Sequence, residues 1–68
     1  MRLKQLRKSK RVSQVKLALE LGTSQNTISR YETGEREMDY KTMIAVADFF
    51  NVSIDYLLER TDNPKVNK

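Results

Sequence analysis

The sequence predicts an all-α fold, a compact domain of five short helices. Apolar residues recur three and four apart in successive segments. Most of these segments follow a serine or aspartate able to cap a helix start, and glycine or asparagine stands where they stop. At 68 residues there is room for one small domain, and a chain this short buries a modest share of its surface.

In residues 1–9, Leu3 and Leu6 sit at helical spacing among Arg and Lys, which predicts a short basic helix acting as a lid on a core built elsewhere. Ser9-Lys10-Arg11 makes the connection. Val12 precedes Ser13, an N-cap type, and Leu17 stands where a hydrophobic staple would meet Val12. The second helix runs from about Gln14 to Leu21, with Leu17, Ala18 and Leu21 inward and Gly22 as its stop. Ala18 is small enough to let another helix cross closely, although alanine is also simply a good helix former. The third helix follows Ser24, reaches Glu32 or Thr33, and closes at Gly34.

Glu35-Arg36-Glu37-Met38 leads to Asp39, a further N-cap, and Tyr40, Met43, Ile44, Ala47 and Phe50 mark an amphipathic fourth helix. Asn51 can take the left-handed conformation at its end. Val52-Ser53 repeats the staple and cap with Leu57 as partner, and Ile54, Leu57 and Leu58 give a short fifth helix. Tyr40, Phe49, Phe50 and Tyr56 could form a stacking platform for single-stranded bases, but helical spacing assigns most of them to the core. The domain spans 1–60; residues 61–68 carry one proline, one apolar residue and no periodicity, as expected of a flexible tail or the start of a linker.

Composition narrows the chemistry. There is no cysteine and no histidine, so disulfides, thiolate ligands, the usual zinc site and the usual general base are all missing. Glu35 and Glu37 lie two apart on a loop with nothing to suggest a pocket around them, so the chain reads as a non-enzyme with no cofactor and no metal. No apolar run approaches the roughly 20 residues of a membrane span, and no signal-peptide core follows the N-terminus. The expectation is a cytoplasmic protein with no membrane partner. Net charge is +4, but residues 1–19 hold seven bases (Arg2, Lys4, Arg7, Lys8, Lys10, Arg11, Lys16) and no acid. A cationic block at one end suits a polyanion, and equally a solvated helix face.

The stretch Ser13–Gly34 decides between these. A first helix with an apolar face, a tight turn and a second helix showing polar side chains make the layout of a helix-turn-helix. At about 100° per residue, Ile28, Tyr31 and Glu32 fall on one side of the third helix, and Gln25, Asn26, Ser29, Arg30 and Thr33 on the other. A merely solvated helix would favour Glu and Lys pairs, whereas amides and Arg make bidentate contacts to adenine and guanine edges.

Gln14-x-x-Leu17-Ala18-x-x-Leu21-Gly22, followed by Ser24, Ile28-Ser29, Glu32 and Gly34, resembles the Cro/repressor-type (XRE-like) helix-turn-helix of phage repressors and related bacterial regulators. Val52-Ser53-Ile54-Asp55-Tyr56-Leu57-Leu58 looks like that family's closing helix, and the similarity covers about Leu3 to Leu58. The resemblance implies a regulator, a repressor of the phage type, that binds double-stranded operator DNA as a homodimer in a bacterial or phage cytoplasm at the nucleoid. Gln25, Asn26, Ser29 and Arg30 would contact bases. Lys8, Lys10, Arg11, Gln14, Lys16, Ser24 and Arg36 would contact phosphates, and Ile54, Tyr56 and Leu58 would form the dimer contact or finish the monomer's core. Family members often pair a first-helix arginine with an acid closing the third helix, which implies an Arg7–Glu32 ion pair here.

Two features depart from the family's pattern. The loop after the third helix is often basic with a proline, whereas Glu35 and Glu37 would repel phosphates. Lys16 stands where an acid is frequent, giving up a capping-box bond while adding positive charge. Val15 and Leu19 occupy positions usually polar in the family. They favour a different reading, an antitoxin-like module whose chief partner is a protein.

Overall fold

A computed structural model describes residues 1–65. The helices are α1 (Leu3–Ser9), α2 (Gln14–Leu21), α3 (Gln25–Thr33), α4 (Tyr40–Phe50) and α5 (Ile54–Leu57). There is no strand among the described residues. Each helix contributes one wholly buried side chain to a common centre: Leu3, Leu17, Ile28, Val46 and Leu57, all 0% exposed. Leu6, Ala18, Met38, Ala47, Phe50 and Val52 complete the core around them. No helix could bury its apolar stripe alone, so the five are stable only together.

The helix starts follow from local chemistry. Ser13, Ser24, Asp39 and Ser53 all have extended backbone, and each side chain accepts from the backbone N–H three residues on. The ends are also uniform. In α1, α2, α4 and α5 the chain turns out through a residue of positive φ: Arg11 (57°), Gly22 (67°), Asn51 (55°) and Glu59 (64°). The next N–H reaches back six residues inclusive, Val12 to Arg7, Thr23 to Ala18, Val52 to Ala47 and Arg60 to Asp55, at 2.8–2.9 Å. This is the Schellman arrangement, and it satisfies carbonyls that would otherwise lack partners.

Arg2 clasps the two ends of the fold. Its N–H bonds Leu57 O at 2.8 Å, its Nε donates to Tyr56 O at 2.9 Å, and its guanidinium lies 4.4 Å from the Tyr56 ring centroid. Nη2 donates to Thr61 O and Asp62 Oδ1, and Ser53 N donates to Pro64 O at 3.1 Å. Residues 61–65 thus make contacts back to the domain; the remainder of the tail, 66–68, lies outside the described residues.

One expectation about α4 is corrected. Tyr40 is 69% exposed and Ile44 37% exposed, while Val46 is buried. At about 100° per residue, Met43, Val46, Ala47 and Phe50 cluster around one line, with Ile44 on its flank. Tyr40, in the first turn, is left exposed. Of the four aromatics assigned mostly to the core, only Phe50 is buried; Phe49 meets it edge-on at 4.9 Å and remains partly exposed, and Tyr56 is half-buried beneath Arg2.

Candidate nucleic-acid interface

Gly22 sets the angle between α2 and α3. Nothing lies within 4 Å of where a Cβ would stand, so the left-handed dihedral and not lack of space selects glycine. Thr23 follows as the Schellman donor and Ser24 begins the next helix, its Oγ accepting from Thr27 N at 3.2 Å and lying 2.9 Å from Thr27 Oγ1. Ile28 anchors α3 in the core, and Tyr31 packs beside it. The opposite face is largely open: Gln25, Asn26 and Arg30 are exposed, while Ser29 is half-buried.

A chain of polar side chains ties this face to the body. Arg7 donates from Nε to Glu32 Oε2 at 2.6 Å and from Nη2 to Glu32 Oε1 at 3.2 Å, and its Nη1 donates to Val12 O at 3.0 Å. The two side chains are 11% and 4% exposed. Gln14 Nε2 donates to Glu32 Oε1 at 3.1 Å, and Gln25 Nε2 donates to Gln14 Oε1 at 3.3 Å. Burial pushes the Glu32 carboxyl up, but hydrogen bonds from Arg7 and Gln14, with the charges of Arg7 and Lys4, outweigh it and hold the group below its ordinary value. Arg7 is raised by its hydrogen bond to Glu32, against desolvation, with the carboxylate's charge adding to the effect. The arrangement is a hydrogen-bonded strut from α1 to α3 with the Gln25 amide at its outer end.

A family model described as Helix-turn-helix (HTH_3) matches residues 3–57. The chain belongs to the helix-turn-helix family. It is 44% identical over 64 residues to YqaE of Bacillus subtilis, an HTH-type transcriptional regulator described as uncharacterized, covering 94% of this chain and 55% of that protein. It is 34% identical over 67 residues to the HTH-type transcriptional regulator ImmR of Bacillus subtilis, covering 98% and 53%. Over 57 residues it is 37% identical to the HTH-type transcriptional activator BcrR of Enterococcus faecalis, covering 84% and 28%. The chain thus spans about half the length of the first two relatives. No solved structure matches it.

Within this helix-turn-helix, the structure joins some of the assigned residues and leaves others apart. Gln14 and Gln25 touch, and Arg7 and Glu32 are paired. Lys8, Lys10 and Arg11 are exposed on and after α1 and share no hydrogen bond with α3 among the described residues. Lys16 Nζ is held by Glu20 at 2.9 Å, one turn along the same helix. Arg36 stands 5.9 Å from the Tyr31 ring centroid, and its N–H bonds Arg30 O at 3.3 Å, which places the loop beside the end of α3. Ser24 is exposed, with its hydroxyl already engaged in capping. Of the three assigned to the dimer contact, Ile54 and Tyr56 on α5 pack on the core, while Leu58 caps the end of α5, outside the helix, and is half-buried.

Sequence reasoning missed two things. Arg2 was only one base in a cationic block, yet it closes the fold; its spacing from Tyr56 is too long for any local signal. Gln14 carries a second task, bridging Glu32 and Gln25, which its place at a helix start does not announce. Among the described residues no helix is long and apolar enough to cross a membrane, and no cluster of potential metal ligands occurs.

Proposed function

We propose that this chain is a sequence-specific double-stranded DNA-binding transcriptional regulator, a repressor, that lays α3 in the major groove. The observation that carries this reading is the uncovered face of α3, where Gln25, Asn26 and Arg30 stand exposed on a helix whose other side is anchored by Ile28. Amide and guanidinium groups there match the donor and acceptor patterns of base edges. Lys8, Lys10, Arg11, Gln14, Lys16, Ser24 and Arg36 hold the sugar-phosphate backbone, Gln14 through the N–H that it does not give to Glu32. The names of the regulators to which the chain is similar support the same function. It acts as a homodimer at the nucleoid, on half-sites about 34 Å apart, with the contact on α5 and its C-cap through Ile54, Tyr56 and Leu58.

Selection of bound duplexes from a random pool tests this directly. Arg30→Ala or Gln25→Ala is expected to lose about 1–3 kcal/mol on the selected site and little on random DNA, whereas Gln14→Ala, which removes a phosphate contact, weakens binding to random DNA as well. Equal losses on both DNAs for all three variants would remove the base-reading assignment.

A second reading keeps one specific observation. Val15 is 50% and Leu19 74% exposed, one turn apart on the outer side of α2, and that is an apolar pair without a use in DNA binding. It suits an antitoxin-like module contacting a protein. A sample that binds no duplex at moderate salt would favour this alternative.

A further inference from the structure

Four side chains form an unbroken line from beneath α3 to its outer edge: Arg7, Glu32, Gln14 and Gln25. The two ends of a glutamine amide are alike in size and opposite in chemistry, so which end points where needs a cause. Here the cause is Glu32. Paired with Arg7 it is ionised, and an ionised carboxylate only accepts hydrogen bonds. Gln14 must therefore turn its NH2 group toward Glu32, because its oxygen there would set two acceptors 3.1 Å apart. Its Oε1 then faces outward, and Gln25 can meet that oxygen only with its own NH2 group, as it does at 3.3 Å.

The direction imposed at Glu32 is thus passed along both amides. Gln25 keeps its Oε1 and its second N–H, the edge that pairs with adenine N6 and N7, with the donor end on the Gln14 side and the acceptor end away from it. We infer that Glu32 is a positioning residue for base choice: through Gln14 it fixes the order of donor and acceptor that Gln25 presents, and so separates A·T from T·A at the base pair Gln25 reads. This rests on the assignment of α3 to the major groove. Holding α1 to α3 requires only that Arg7 and Glu32 attract; selecting a base requires that the carboxylate also face Gln14.

The test compares duplexes selected from a random pool by the unaltered chain and by Q25A, Q14M and E32Q, with preference scored at every base pair. Q25A identifies the pair that Gln25 reads by losing preference there. E32Q and Q14M are each expected to reduce the A·T over T·A discrimination at that same pair about tenfold, while pairs read by Asn26 and Arg30 keep theirs. Loss of a phosphate contact from Gln14 lowers affinity on all sequences alike and leaves the preferences in place. Q14M retains the Arg7–Glu32 pair and tests the link between the two amides, and R7M/E32L, which strands no charge, tests Glu32 with the same loss expected if E32Q does not fold. Undiminished discrimination at that pair in Q14M, or a loss spread evenly over all pairs, overturns the relay and leaves base reading standing. A Q25A pool identical to that of the unaltered chain overturns reading by Gln25 and the relay with it, and no preference at any pair in the unaltered chain overturns base reading as a whole.

Discussion

At the scale of residues, the Arg7–Glu32 pair is the strongest single commitment in the molecule. Both groups are nearly out of solvent, so each needs the other far more than a surface pair would. Arg7→Met or Glu32→Leu alone strands a charge and is expected to cost about 3–5 kcal/mol. A domain of this length holds on the order of 3–10 kcal/mol in all, so either variant should lose about a third or more of the stability and unfold at a much lower urea concentration. The double variant replaces the pair with apolar contact and should be more stable than either single one in urea unfolding. Glu32 also sets an acid limit. Its folded value lies below its unfolded one, so its contribution is complete above the unfolded carboxylate value of about 4.3 and is lost as pH falls through the folded value. The double variant should lack that part of the acid-unfolding curve. The pair came from the family pattern and not from spacing, because two residues 25 apart give no periodic signal.

At the scale of elements, helix starts were legible and helix ends only partly so. The four N-caps follow from hydroxyl and carboxylate chemistry that is local to a few residues, and all four stand where the sequence puts them. Gly22 and Asn51 announce left-handed ends, but Arg11 and Glu59 fill the same role with side chains that carry no such preference. Their conformation is imposed by the Schellman bonds and by Val12 packing on the core. Arg11→Gly separates two roles: it should raise stability by about 1 kcal/mol by relieving the left-handed strain, yet weaken binding to every duplex and lower the salt slope of the proposed dimer by roughly 2, one phosphate contact from each protomer. Thermal melts and binding isotherms on the same sample check both. The outer face of α3 was legible because its polarity contrasts with Ile28 across one helix. The face of α4 was not, because Tyr40 and Ile44 fit a helical stripe as well as Val46 does, and only the shape of the whole core chooses among them. Val46→Ala should therefore cost about 2 kcal/mol, near 0.8 for each carbon lost plus the cavity, while Tyr40→Lys should stay within about 0.5 kcal/mol; urea midpoints distinguish the two.

At the scale of the whole molecule, charge and shape together determine how the domain meets a duplex. The body measures 30 × 22 × 18 Å, and its long axis is close to the roughly 34 Å between the half-sites of the proposed homodimer. Of the seven bases in residues 1–19, Lys4, Lys8, Lys10 and Arg11 form no ion pair among the described residues and supply attraction, whereas Glu35 and Glu37, both exposed in the loop that bonds back to the end of α3, bring negative charge toward the duplex. A dimer neutralising about eight phosphates gives log K falling against log salt with a slope near −7. Removing the two acids as Glu35→Gln with Glu37→Gln takes away repulsion that is insensitive to sequence, so affinity should rise on selected and random duplexes by the same factor. The gain should shrink as salt rises, because exposed charges farther apart than a Debye length of about 10 Å at 0.1 M are largely screened. Filter binding at three salt concentrations checks this. A gain confined to the selected site would mean instead that the loop touches bases, and that these carboxylates discriminate among sequences and do not merely hold the backbone off.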